Sequence, residues 1–187
     1  LSTVVGIPLG ILCSKSDLPF RRFFPLLFII PLLLPPYITA VAWFDLLGRE
    51  GLLSSLVNPA VAEFTSSYLF GLPGCILVLF ITYMPIVMLL TMTYVKTINH
   101  HLEEAARLVA PWMPVLRVII LPMIMPGILL AALVVFLLTL GEFSVPMFLR
   151  YTVFPVDSFS QFSAFYNYGA GTSSVIPLIL ITFLVLM

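Results

Sequence analysis

The chain has 187 residues, of which 61% are hydrophobic and only 9% charged, with a mean hydropathy of +1.20. A soluble domain carries about a quarter charged residues, so this chain lacks the polar surface to fold in water and reads as a polytopic membrane protein. Its formal net charge is zero, and no nucleic-acid partner is expected.

Five apolar runs follow in order. The first, Leu1 to about Cys13, is too short for a full span. The second runs from about Phe23 to Leu47, the third from about Leu72 to Val95, and the fourth from about Val118 to Leu140. The fifth begins near Ser174 and stops at Met187. A bilayer core of about 30 Å needs roughly 20 helical residues, a length the three internal runs reach. They are apolar on every face, whereas a spanning strand alternates apolar and polar. In lipid a helix satisfies its own backbone hydrogen bonds. Both termini lie in apolar sequence, so a fragment of a longer chain is expected, with the first and last spans truncated. The whole of 1–187 reads as one transmembrane domain with a cytoplasmic loop at 96–117.

Charge fixes the orientation. Loop 14–22 holds Lys15, Arg21 and Arg22 against Asp17, and loop 96–117 holds Lys96, Arg107 and Arg117. Loops 48–71 and 141–173 hold only Arg49 and Arg150, with Glu50, Glu63, Glu142 and Asp157. Six of the eight basic residues therefore share one side, and the positive-inside rule makes that side cytoplasmic. The aromatic stretch from Phe143 to Asn167 is expected to lie in the outer interface, to re-enter the membrane, or to receive a partner.

Several residues invite chemical readings. Cys13 and Cys75 sit in apolar runs without metal-ligand spacing and read as core residues. His100 and His101 are adjacent on a helix and point about 100° apart, a poor chelate. Met84, Met88 and Met92 share one helix face and read as core packing. Gly6 and Gly10 form a small-xxx-small pair for close helix approach. Many of the 16 prolines lie inside spans, where kinks are expected. Glu142, at the outer end of the fourth span, is a candidate pathway residue, because acids at membrane depth are often functional. Asp45 is a weaker one. No catalytic, cofactor-binding or metal-ligating set is expected, and no phosphate-binding loop is present.

Residues 102–117 are the exception to the apolar pattern. Leu102, Ala105, Ala106 and Val109 recur at helical spacing and predict one apolar face. Glu103, Glu104 and Arg107 are expected on the other, with Glu103 and Arg107 spaced for an i,i+4 pair. Pro111 stops this helix, and Pro114 delays the restart, so the next span is expected from near Arg117. An interfacial lipid-binding helix usually pairs large apolar residues with Lys and Arg. Alanines opposed to acids instead predict a protein groove.

Glu104-Ala105-Ala106, a turn, and Ile119-Ile120-Leu121-Pro122 opening a span resemble the EAA loop of bacterial ABC importer permeases. Pro126-Gly127, Leu34-Pro35-Pro36-Tyr37, Thr82-Tyr83-Met84-Pro85 and Gly141-Glu142-Phe143-Ser144-Val145-Pro146 extend the resemblance over nearly the whole chain. Two departures occur: Ala110 stands where the family has Gly, and the Glu104-to-Pro122 distance is one residue short.

The resemblance implies an all-α polytopic bundle of the type I importer permease kind, in the bacterial inner membrane. It implies no catalytic site of the permease's own and no cofactor. Within the family the chain looks most like permeases for ferric iron, with polyamine, thiamine and sulfate relatives near. The implied partners are cytoplasmic ABC ATPase subunits, an extracytoplasmic substrate-binding protein, a second permease unit (a homodimer mate or a fused half) and the lipid bilayer. Glu103, Glu104, Ala105, Ala106, Arg107, Ala110, Leu121 and Pro122 are the expected ATPase-coupling residues. The alternative, a secondary transporter or channel, calls for a polar pathway within the spans, and the central runs carry essentially none.

Overall fold

The computed structural model describes residues 1–15, 23–48, 51–52, 65 and 67–187. Asp17, Arg21, Arg22, Arg49, Glu50 and Glu63, used above to orient the loops, lie outside the described residues. The described elements are all helical: α1 (Ser2–Lys15), α2 (Phe23–Leu33), α3 (Pro36–Leu47), α4 (Leu72–Thr97), α5 (His100–Val109), α6 (Trp112–Val115), a π turn (Leu116–Ile120), α7 (Leu121–Leu140), α8 (Ser144–Phe148), α9 (Phe154–Ser163) and α10 (Tyr168–Leu186).

Among the described residues, three stretches are long and apolar enough to cross a bilayer: Leu72–Thr97, Trp112–Leu140 and Tyr168–Leu186. At 1.5 Å per residue the 26 residues of α4 reach roughly 39 Å, more than the hydrocarbon core requires. The second apolar run differs from expectation. It is a bent pair, α2 and α3, broken at Leu34-Pro35. Proline excludes the residue before it from the α region, and Pro35 itself is extended (φ −54°, ψ 139°). Pro36 then opens α3 at a position where a missing N–H does no harm. The fourth helix also begins earlier than expected, at Trp112, and runs on through the π turn. Pro114 falls within its first turn, where backbone N–H groups have no helical partner anyway. The fifth begins at Tyr168, with Asn167 accepting a hydrogen bond from the Ala170 N–H at 3.1 Å.

The described residues pack as two units. In the first, Leu1–Leu33 with Tyr83–Phe136, α1 lies against α4 at the two glycines. A Cβ on Gly6 would sit 2.8 Å from the Val87 Cβ, and one on Gly10 would sit 2.7 Å from the Met88 carbonyl and the Thr91 Cβ. Met84, Met88 and Met92 are buried, as core packing predicts. A cluster of Ile11, Val95, Val115, Ile120 and Ile124 ties α1, α4, α6, the π turn and α7 together. Its spacing explains the π turn. Val115 and Ile120 are both buried five residues apart, and Ile124, Gly127 and Ala131 continue the face at ordinary helical steps. One wide turn, closed by Leu121 N–H to Leu116 C=O, brings both halves of the helix onto one face. α2 has no buried residue, in keeping with a lipid-facing segment.

In the second unit, Leu34–Thr82 with Leu137–Met187, Ala40, Leu69, Cys75, Val78, Val145 and Leu149 form the core. The aromatic stretch after α7 folds into α8 and α9. The Ser158 hydroxyl donates to the Gly171 carbonyl at 2.9 Å and Ser174 donates to Asp157 at 2.6 Å, which fixes α9 on α10. Phe154, Phe159, Phe162, Phe165, Tyr166 and Tyr168 remain exposed.

Candidate functional site

α5 is the most amphipathic helix described, and its residues explain its bounds. Asn99 caps it, its side-chain oxygen accepting from the His101 N–H at 3.1 Å. Glu103 lies in the first turn and Arg107 in the last, both favoured by the helix dipole. The helix stops at Val109 because Ala110, before Pro111, is extended (φ −140°, ψ 148°).

The face turned inward carries an acid. Glu103 is buried, at 6% exposure, while Leu102, Leu108 and Val109 are exposed at 46%, 88% and 89%. Ala106 and Ala110 pack on the Ile11–Val95–Val115 cluster. The inward stripe is therefore Glu103, Ala106 and Ala110, and the outward one is Leu102, Glu104, Ala105, Leu108 and Val109. The cause is an ion pair. Glu103 engages the ammonium of Lys15 at the end of α1. The two side chains are only 7% and 14% exposed, so the attraction is less screened than at a free surface. The pairing of Glu103 with Arg107 suggested by their spacing gives way to this contact. Arg107 instead lies over the Trp112 ring, 4.6 Å from its centroid, a cation–π contact across the Pro111 turn.

Of the eight expected coupling residues, Glu103, Ala106 and Ala110 thus mount the helix on the bundle. Glu104 and Ala105 stand on its open face. The Glu104 carboxylate lies 3.7 Å from the His101 imidazole, with 62% of its side chain exposed. Arg107 clamps the turn. Leu121 packs on the same cluster as Ala106. Pro122 follows the π turn; a proline ring clashes with the carbonyl four residues back, and a widened turn relieves that crowding. Glu142 belongs to the second unit. Its Oε1 accepts from the Ser144 N–H at 2.9 Å, the Val145 N–H at 3.4 Å and the Ser144 hydroxyl, which caps α8.

Sequence reasoning missed Lys15, Trp112 and Asn99. Asn99 was recoverable as a cap residue preceding an acidic first turn. Charge groups Lys15 with loop 96–117, but nothing local pairs residues 88 positions apart.

A family model described as binding-protein-dependent transport system inner membrane component matches residues 6–187. The chain is 23% identical over 150 residues to a putative ferric transport system permease protein of Haemophilus influenzae, covering 80% of this chain and 24% of that one. It is 25% identical over 150 residues to a ferric transport system permease protein of Actinobacillus pleuropneumoniae, covering 80% and 22%. The chain therefore spans about a quarter of the length of these curated relatives. Among solved structures, two inward-facing crystal forms of the MetNI methionine ABC transporter share its fold. The native form has a TM-score of 0.74 at 18% identity and the selenomethionine-soaked form 0.76 at 20%; each match covers 98% of this chain and 82% of that one.

Proposed function

The chain belongs to the family of inner-membrane components of binding-protein-dependent transport systems, and on that premise we propose that it is the multi-pass permease subunit of an ATP-driven ABC importer for ferric iron. The observation that carries the coupling role is the open face of α5. Leu108 and Val109 are nearly nine-tenths exposed beside Glu104, on a helix that the charge rule places in the cytoplasm. Isolated exposed apolar residues need no explanation. Four apolar positions on one stripe of a short helix, rimmed by an acid, fit the helix-in-groove mode of recognition.

The proposed occupant of that face is a separate ATPase subunit, which hydrolyses the nucleotide. Its movement on binding ATP pulls α5. The buried Lys15–Glu103 pair carries the pull into α1, and the Arg107–Trp112 clamp carries it through the Pro111 turn into the long helix that ends at Leu140. An extracytoplasmic binding protein delivers substrate on the other side, and a second permease unit completes the pathway. The ferric assignment is supported by what the two bacterial relatives are described as carrying.

The test is Glu104→Lys, with Leu108→Asp as a second probe of the same face. Both residues are exposed, so membrane insertion and folding should persist. ATPase co-purification and radioactive iron uptake should both be abolished. Normal ATPase association in both variants overturns the docking role; association and transport by the unaltered protein with no preference for iron overturns only the substrate.

A further inference from the structure

Within the first unit, a cavity of about 550 Å³ opens between α1, the end of α5 and the start of the long helix. Ligand pockets run from roughly 300 to 1,000 Å³. Its walls include Ile7, Leu12, Met113 and Leu116; its charged residues are Lys15, Arg107 and Arg117, and no acid lines it among the described residues. Lys15 is held by Glu103, and the contact of Arg107 with Trp112 leaves the guanidinium charge in place. Arg117 is exposed. The cavity thus has apolar walls with two cations, Arg107 and Arg117, that no acid offsets among the described residues, where the chain meets the cytoplasmic boundary of the membrane.

A soluble anion would use the cations and leave the apolar walls wet. A neutral apolar ligand would do the reverse. A zwitterionic lipid brings a cation of its own against two arginines. We propose that this cavity holds an anionic phospholipid of the cytoplasmic leaflet, its phosphate between Arg107 and Arg117 and an acyl chain along Ile7, Leu12, Met113 and Leu116. Basic pockets between spans on the cytoplasmic side recognise anionic headgroups in this way. The lipid touches α1, α5 and α6 together, so it braces the segments that the Lys15–Glu103 pair and the Arg107–Trp112 clamp join.

The test uses the full assembled transporter, purified in mild detergent and equilibrated with equal phosphatidylglycerol and phosphatidylcholine, with retained lipid measured by mass spectrometry. Phosphatidylglycerol should be enriched roughly 25-fold, two cations at about fivefold each. Arg117→Gln should lose about fivefold of that enrichment, Arg117→Lys should keep most of it, and Leu12→Trp, which fills the cavity, should expel the lipid. Millimolar inorganic phosphate or glycerol 3-phosphate should displace nothing; displacement by either reveals a free-anion site and overturns the proposal. Equal retention of the two lipids overturns it too, as does no retained lipid in the unaltered protein, the outcome if another protein segment covers the cavity. An unchanged enrichment in both Arg117→Gln and Leu12→Trp does the same. Because ATPase docking uses the opposite, Glu104 face of α5, co-purification of the ATPase with Arg117→Gln separates this outcome from failure of the docking role.

Discussion

Removing either half of the Lys15–Glu103 pair should have unequal consequences. Loss of one member of a buried pair costs about 3–5 kcal/mol. Lys15 keeps 14% of its side chain exposed, so the lower end applies, and Lys15→Ala should destabilise the chain by about 3 kcal/mol. The carboxylate it strands is short, mounted on the inward stripe of α5 and only 7% exposed. Glu103→Ala strands the lysine instead. A long ammonium side chain at a helix end can snorkel out, so this loss should be nearer 1 kcal/mol, the value of a solvated pair. With about 2 kcal/mol for the double alanine variant, the cycle gives a coupling energy of about 2 kcal/mol. Denaturant or thermal unfolding of the purified protein in a fixed detergent measures all three. Additive single effects, or a larger loss from Glu103→Ala than from Lys15→Ala, would refute the argument. The swapped variant, Lys15→Glu with Glu103→Lys, should recover part of the loss and separates charge pairing from packing.

Three further outcomes rest on the helix packing. Gly10→Leu should cost more than about 3 kcal/mol and disrupt the contact of α1 with α4, because the nearest obstacles are the Met88 carbonyl and the Thr91 Cβ rather than a mobile side-chain end; cysteine cross-linking between the two helices reads it. Met88 is fully buried, so Met88→Ala should cost about 2–5 kcal/mol and Met88→Leu under about 1.5, read by thermal unfolding in detergent. Ser158→Ala should lose about 1 kcal/mol by removing the hydrogen bond to Gly171, seen as faster proteolysis between α9 and α10.

The apolar runs were legible because bilayer thickness imposes length on any helix that crosses it, and α4 matches its run almost residue for residue. The helix at 100–109 was legible too, from periodicity and from Pro111. Its rotation was not. Periodicity groups Ala106 with Leu102, Ala105 and Val109 on a face offered to a partner and sets Glu103 opposite, but nothing local shows that Glu103 and Ala106 turn into the bundle. A lysine on another helix decides this, because a buried charge needs a partner more than a leucine at the membrane edge needs cover. The Pro35-Pro36 doublet was visible as a kink, yet a full break also depends on Leu34, which a following proline bars from helix. The early start at Trp112 was hidden by a rule about prolines in helix interiors that does not govern the first turn.

The five-residue step from Val115 to Ile120 makes the root of the long helix sensitive to length more than to identity. Swapping an outward side chain such as Val118 leaves the angular register of the rod untouched. Deleting one residue between 116 and 120 would close the turn to an ordinary i,i+4 step and keep Val115 and Ile120 on one face, whereas inserting one would swivel everything upstream by about 100° about the rod axis, carrying Val115 off its seat and the attached peg out of line. Loss-of-function lesions in this segment should therefore be enriched in single-residue insertions over single deletions and conservative replacements.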